Sequence, residues 1–313
     1  MAHTDHSGQA DHHGRPDDTE AIRRRLRREV PSTVGLLADE RDFAAMRHYR
    51  SFTFDNHDTY LRQLEGLLRS LADEGTHTSV VLFDPEEFAE YCAEAGLDPD
   101  TAASRSRFTA GIATSGAVIR YTGQPIDSLV PLLIDATARQ ATWEYATTLL
   151  ADLDECADCG QDIGRAAFER ASHLLLRLLE AAGPGTHHLV CSVPAVEEHL
   201  LAALHTERTR GVPALLDSPQ AAEFATVLAA GIALESTGGL VLRTTEPGLP
   251  DRLHGWRLHQ GRLDPLSAGE VFNAYCTDAD TGEPLSPESG VDYRAGFDLG
   301  VDDPGTHDAG THH

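Results

Sequence analysis

"HHLVCSVPAVEEHLLAALHTER" spans residues 187–208, and its reading decides the fold. Leu189, Val190, Cys191 and Val193 make an almost continuous apolar run, which suits a strand buried inside a sheet. Pro194 then breaks the pattern. "VEEHLLAALHTER" (196–208) is rich in Leu, Ala and Glu, so it predicts a helix. A strand followed by a helix is the unit of an α/β fold.

The stretches on either side agree with that reading. "GRAAFERASHLLLRLLEAAG" (164–183) is an amphipathic helix ending at Gly, "AAEFATVLAAGIALEST" (221–237) is a second helix, and "GLVLRTT" (239–245) is a strand. Upstream, "RSFTF" (50–54) reads as a short strand, "HDTYLRQLEGLLRSLADEG" (57–75) as an amphipathic helix and "TSVVLF" (78–83) as a buried strand. "PEEFAEYCAEAGL" (85–97) follows as a helix, "GAVIRYTG" (116–123) as a strand, and 126–153 as a long helix with a kink or start near Pro131. "RLHGWRLHQGRL" (252–263) reads as a late strand or hairpin.

A repeat runs through this order. "LLRSLADEGTHTSVVLFDPEEF" (67–88) matches "LLRLLEAAGPGTHHLVCSVPAVEEH" (175–199). Further on, "GAVIRYTGQP" up to residue 125 matches "GGLVLRTTEP" up to residue 247, pairing Arg120 with Arg243. The expectation is an α/β protein with mainly parallel sheets flanked by helices, built as two related halves by internal duplication. Its parts are a disordered His-rich tail (1–20), an Arg-rich helical arm (21–45) and a first half (46–152). A second half (153–268) is opened by a CxxC junction, and an irregular segment with a disordered tail follows (269–313). Over 46–200, the order of strand, helix, apolar strand and Pro85-Glu86-Glu87 resembles the α/β sensory domains called MEDS, found in bacterial regulators; no site residue carries over.

Composition narrows the chemistry. The formal net charge is −25, and all 25 basic residues are Arg. Without Lys there is no P-loop lysine and no Schiff-base lysine. An acidic chain repels nucleic acid, with one local exception: Arg23, Arg24, Arg25, Arg27 and Arg28 form a basic stripe. No apolar run is long enough to span a membrane, no charged start leads into an apolar segment, and the five cysteines do not suggest a disulfide framework. A cytoplasmic protein with reduced thiols is expected.

Three constellations are candidates for function. "DECADCGQD" (154–162) places Cys156 and Cys159 as half of a zinc knuckle, with Cys276 and His173 as candidates to complete it. Asp152, Asp154, Glu155 and Asp158 crowd the pair, which opposes a reactive thiolate and tolerates a dication. Asp55 and Asp84 each follow an apolar run expected as a strand; with Arg120 they would clamp Mg²⁺ and a phosphorylated small molecule. Asp84, before Pro85-Glu86-Glu87, also has the makings of a helix N-cap. His77 and His187 each follow Gly-Thr at a strand start and suit turn-and-edge packing. No nucleophile–base pair, complete metal centre or cofactor loop is visible. The functional expectation is a non-catalytic regulatory or interaction module for an unidentified protein or small-molecule partner. The alternatives are the Asp55–Asp84–Arg120 enzyme and a nucleic-acid-associated regulator acting through the Arg23–Arg28 helix.

Overall fold

The computed structural model describes residues 32–156, 160–196, 198–211, 217–278 and 281–300. Both expected tails, and residues 21–31 with the Arg stripe, lie outside the described residues. The chain forms two compact units, one ending at Ala138 and one starting at Arg139.

In the first unit, β1 (Ser32–Leu36) pairs in parallel with β2 (Thr78–Leu82), and β2 pairs antiparallel with β3 (Ile119–Arg120). Around them lie α1 (Glu40–Met46), α2 (His57–Asp73), α3 (Pro85–Ala95) and α4 (Ala102–Ser115). The amphipathic spacing of α2 turns Tyr60, Leu64 and Leu68 onto a core shared with Leu36, Val80, Phe83, Phe88 and Phe108. β1 falls inside the stretch expected as a helical arm, so from Ser32 onward that expectation is corrected. The stretch 50–54 is not a strand. Phe52 and Phe54 instead turn onto an aromatic cluster with Phe43 and Tyr60, with ring centroids 4.9 to 5.9 Å apart. Their alternation reflects burial and not ladder pairing.

The second unit is built on a six-stranded sheet in the order β5 (His199–Arg208), β4 (Gly185–Pro194), β6 (Gly238–Thr245), β7 (Asp251–His259), β8 (Arg262–Pro265). The short β9 (Val291–Tyr293) runs parallel to the start of β7. One face of the sheet packs on α6 (Ile163–Ala182) and α7 (Pro219–Ala233). The other carries α8 (Ala268–Tyr275) over β7, where Val271 is buried. A long helix, α5 (Ile126–Ala151), contributes Leu129 and Leu133 to the first core and Ala146 to the second. Pro131 lies inside α5, which continues through it. The expected late hairpin forms: β7 and β8 are joined by Gln260 and Gly261, both at positive φ (48° and 68°), the backbone of a two-residue type I′ turn.

The expectation of mainly parallel sheets is overturned. Among the described strands only β1–β2 and β7–β9 pair in parallel; every other pairing is antiparallel. The error begins at 196–208. That segment is not a helix: residues 199–208 are β5, which returns beside β4 in an uninterrupted antiparallel register, Pro194 facing His199 through Gly185 facing Arg208. The apolar residues at 200, 201 and 204 satisfy helical spacing, but burial alternates with period two. Leu200, Ala202 and Leu204 are buried and Leu201 is 55% exposed. Intrinsic preference for helix is worth only tenths of a kcal/mol per residue, and pairing with a buried neighbouring strand outweighs it. The repeat therefore parts at its prolines. Pro85 opens α3, whereas Pro194 ends β4 at a turn closed by Ala195 N–H donating to Glu198 C=O at 3.0 Å. The C-terminal stretch is also less irregular than expected, since it holds α8 and β9. Among the described residues no helix is long and apolar enough to cross a membrane.

This strand assignment makes opposite demands on neighbouring leucines. Leu204→Ala is expected to cost about 2–4 kcal/mol in urea unfolding and Leu201→Ala about 0.5 kcal/mol or less. Equal losses would indicate a helical face instead.

Candidate functional site

Asp55, Asp84 and Arg120 do not assemble into a clamp. Asp84 follows β2 and caps α3: its carboxylate accepts from Glu86 N–H at 2.7 Å and from Glu87 N–H at 3.2 Å. Arg120 faces Ser79 near the other end of β2, and its guanidinium donates to His77 Nδ1 at 2.9 Å. Five residues of strand separate Ser79 from Asp84, about 16 Å at ~3.3 Å per residue. Asp55 is exposed and ends no strand; the neighbouring Asn56 caps α2. The C-terminal end of the parallel β1–β2 pair does gather acids. Asp39 caps α1 through Asp42 N–H at 2.9 Å, and burial, helped by the Asp39 and Asp84 charges, pushes the Asp42 carboxyl above its ordinary range. Both capping carboxylates are already engaged by backbone N–H groups. Beside them Tyr60 accepts from Leu37 N–H at 3.0 Å, with burial pushing its phenol up to about 12, and His57 Nε2 donates to Leu37 C=O at 3.1 Å. These contacts anchor the end of β1.

The zinc expectation gains no support from the described residues. Cys159 lies outside the described residues. Cys156 sits in a turn in which its N–H donates to Gln161 C=O (2.8 Å) and its C=O accepts from Gly160 N–H (2.7 Å). His173 is exposed on α6, ten residues beyond Ile163, hence about 15 Å along the axis from the helix start. Cys276 is buried, and its thiol reaches Tyr293 Oη at 3.7 Å. Among the described residues no group of three or more His, Cys, Asp or Glu could hold a metal ion.

His187 is a core residue. It is fully buried, Nε2 donates to Gly183 C=O at 3.0 Å, and Nδ1 accepts from the Thr244 hydroxyl at 3.1 Å. That arrangement satisfies both nitrogens of a neutral ring. Burial pushes its pKa below the ordinary 6.5, and burial lowers that of His254 as well.

The feature that sequence reading missed is a groove in the second unit. The C-terminal half of α5, the first turns of α6 and the start of α7 line an open groove of about 450 Å³. Trp143 and Leu150 line it from α5, Phe168 from α6, Ala222 and Thr226 from α7. Trp143 and Phe168 are 36% and 38% exposed. Thr147 and Thr226 donate their hydroxyls back to the carbonyls of Trp143 (2.7 Å) and Ala222 (2.8 Å), which spends their polar groups inside the helices. Asp162 and Arg165 are the charged members of the lining: Asp162 caps α6 through Arg165 N–H at 2.7 Å, and Arg165 pairs with Glu169 at 3.0 Å. Gly164 fixes the floor. A Cβ there would lie 2.3 Å from Leu150 C=O, so only Gly lets α6 start this close to α5. The sequence signal is Trp143 itself, in "TWEYA" (142–146). Tyr145 does pack on the core, whereas Trp143 borders open space.

Two outcomes follow from these assignments. Asp84→Ala removes an N-cap and should lower stability by about 1 kcal/mol in denaturant titration; no change would mean the cap contributes nothing. For His187 the unfolded state binds the proton more readily, so its contribution is complete above about pH 6.5 and declines as pH falls through that value. The urea midpoint should drop between about pH 7.5 and about pH 5.5, and less in His187→Gln than in the parent. An unchanged drop in the variant would remove His187 from the account.

Residues 21–124 match a family model described as a domain of unknown function (DUF8829), a stretch that takes in β1, β2 and β3 and covers about a third of the chain. No curated protein and no solved structure matches the chain.

Proposed function

We propose that this protein is a non-catalytic binding module, and that its second unit holds an apolar group of a ligand or partner in the groove between α5, α6 and α7. The observation that carries this reading is the pair Trp143 and Phe168, both more than a third exposed along an open groove of about 450 Å³. A volume of that size suits an organic ligand or an inserted side chain, and an aromatic lining with few polar groups is the usual composition of such sites. The polar atoms of the lining favour binding over chemistry. Both threonine hydroxyls are bonded to their own helices, and Asp162 and Arg165 are each engaged by a neighbour. No nucleophile stands beside a base in the lining. A flat aromatic or branched aliphatic group gains by displacing poorly bonded water from such walls.

The chain has two tryptophans, which makes the test direct. Trp256 is buried in the core, with its indole N–H donating to Phe297 C=O at 3.0 Å, while Trp143 borders the groove. The fluorescent probe anilinonaphthalene sulfonate should bind saturably and draw energy from Trp143. Phe168→Ala should weaken that binding by about tenfold, and Trp143→Phe should lower the energy transfer while leaving Trp256 emission in place. Probe binding that is non-saturable, or untouched by Phe168→Ala, would sink the reading.

A further inference from the structure

β5 ends its sheet: among the described residues no strand pairs with its other edge. The direction of its backbone groups follows from the turn. Ala195 N–H donates to Glu198 C=O, and the β4–β5 register continues without a bulge. In an antiparallel ladder the pairs that exchange backbone bonds alternate with pairs that do not. Val193–Leu200, Cys191–Ala202 and Leu189–Leu204 are therefore the bonded pairs. The N–H and C=O groups of His199, Leu201, Ala203, His205 and Glu207 point away from β4, along the open edge. Edges are normally blunted by Lys, Pro, a bulge or a short strand. This edge is ten residues long, with no Lys and no Pro.

We propose that β5 pairs with β5 of a second copy of this chain about a two-fold axis through Ala203, joining two sheets into one. A two-fold perpendicular to the sheet puts residues of the same face opposite one another. With the axis at Ala203, residues 199–207 of both copies overlap, and the outward-pointing groups bond to each other. On the open face His199 meets Glu207 and Leu201 meets His205. On the core face Ala202 meets Leu204 and Leu200 meets Thr206, which extends each buried row across the axis. Local charge permits this partner. The chain carries −25 overall, yet within β5 the only formal charges are Glu207 and Arg208. No like charges face one another in this register, and both Glu207 carboxylates gain an imidazole partner. Beside the edge on the helix side, Arg139, Thr142 and Trp143 border a small hollow with Leu201, Ala202 and Ala203.

Sedimentation equilibrium of the full chain at up to about 100 μM tests this, a range in which an interface of ordinary strength is populated. A dimer is expected. Ala203→Pro removes an edge N–H without touching the bonds to β4, and should raise the dimer Kd by about tenfold or more while the far-UV spectrum and melting temperature hold. Should that variant misfold, the charge swap decides. Glu207→Arg alone should weaken the dimer about severalfold, and Glu207→Arg with His199→Glu should restore it. A monomer throughout the range, or a dimer indifferent to both Ala203→Pro and Glu207→Arg, would overturn the proposal.

Discussion

β4 is the strand on which the second unit depends. It carries a ladder on each edge, to β5 and to β6, and every second side chain from His187 to Val193 is completely buried. That face has to be covered, and α7 covers it at very short range. At Gly231 a Cβ would lie 2.5 Å from Leu258 Cδ2 and 2.8 Å from Val193 Cγ2, so the helix sits as close as a missing side chain permits. The position of α7 then fixes one wall of the groove through Ala222 and Thr226, and α6 is held beside it by Leu174, Leu175 and Leu178. His187, the polar member of the buried row, is accommodated because Thr244 on β6 and the carbonyl of Gly183 supply both of its hydrogen bonds. A buried ring lacking either partner would cost on the order of 1–3 kcal/mol.

Much of the fold was legible where pattern and partner coincide. The α2, α6 and α7 helices carry apolar spacing that starts at a capping side chain, and the structure places them where the periodicity does. β4 and β6 were legible as well, and so was the stretch 252–263 as a late strand or hairpin. What failed was the inference from order to topology. A strand before a Leu- and Ala-rich segment implies a parallel crossover only if the second segment is helical. Residues 199–208 satisfy both periods at once: apolar positions 200, 201 and 204 fit a helix, while 200, 202 and 204 fit a strand. Only pairing with the preceding β4, a short turn away in sequence, settles the matter. β1 was missed for a related reason. Its five residues are short and Gly-containing, and they gain stability from β2, more than forty residues away.

The site was less legible than the fold. Capping is local chemistry, so Asp84 before Pro85-Glu86-Glu87 could be read from sequence, and its carboxylate does hold the first turn of α3. Sites that require convergence could not be read in this way. Asp84 and Arg120 were grouped on the assumption that both stood at the same end of a parallel sheet. The antiparallel pairing of β2 with β3 puts them at opposite ends. The groove has the reverse history: its walls come from three helices whose apolar residues look like ordinary core positions, and exposure of Trp143 and Phe168 appears only when the helices are packed.

The late segment of the chain has a consequence for synthesis. Phe297 packs edge-on against Trp256 with centroids 4.9 Å apart, its carbonyl accepts from the indole N–H, and Leu299 is buried in the same core as Leu175 and Leu189. The hydrophobic core of the second unit is therefore completed by residues made after its last strand. The first unit draws its core from residues 36–133 and has all of its parts once α5 has emerged from the ribosome. Domains generally fold as units, N-terminal first. Here the order of translation allows the first unit to fold alone, while the core of the second lacks Phe297 and Leu299 until both have left the exit tunnel.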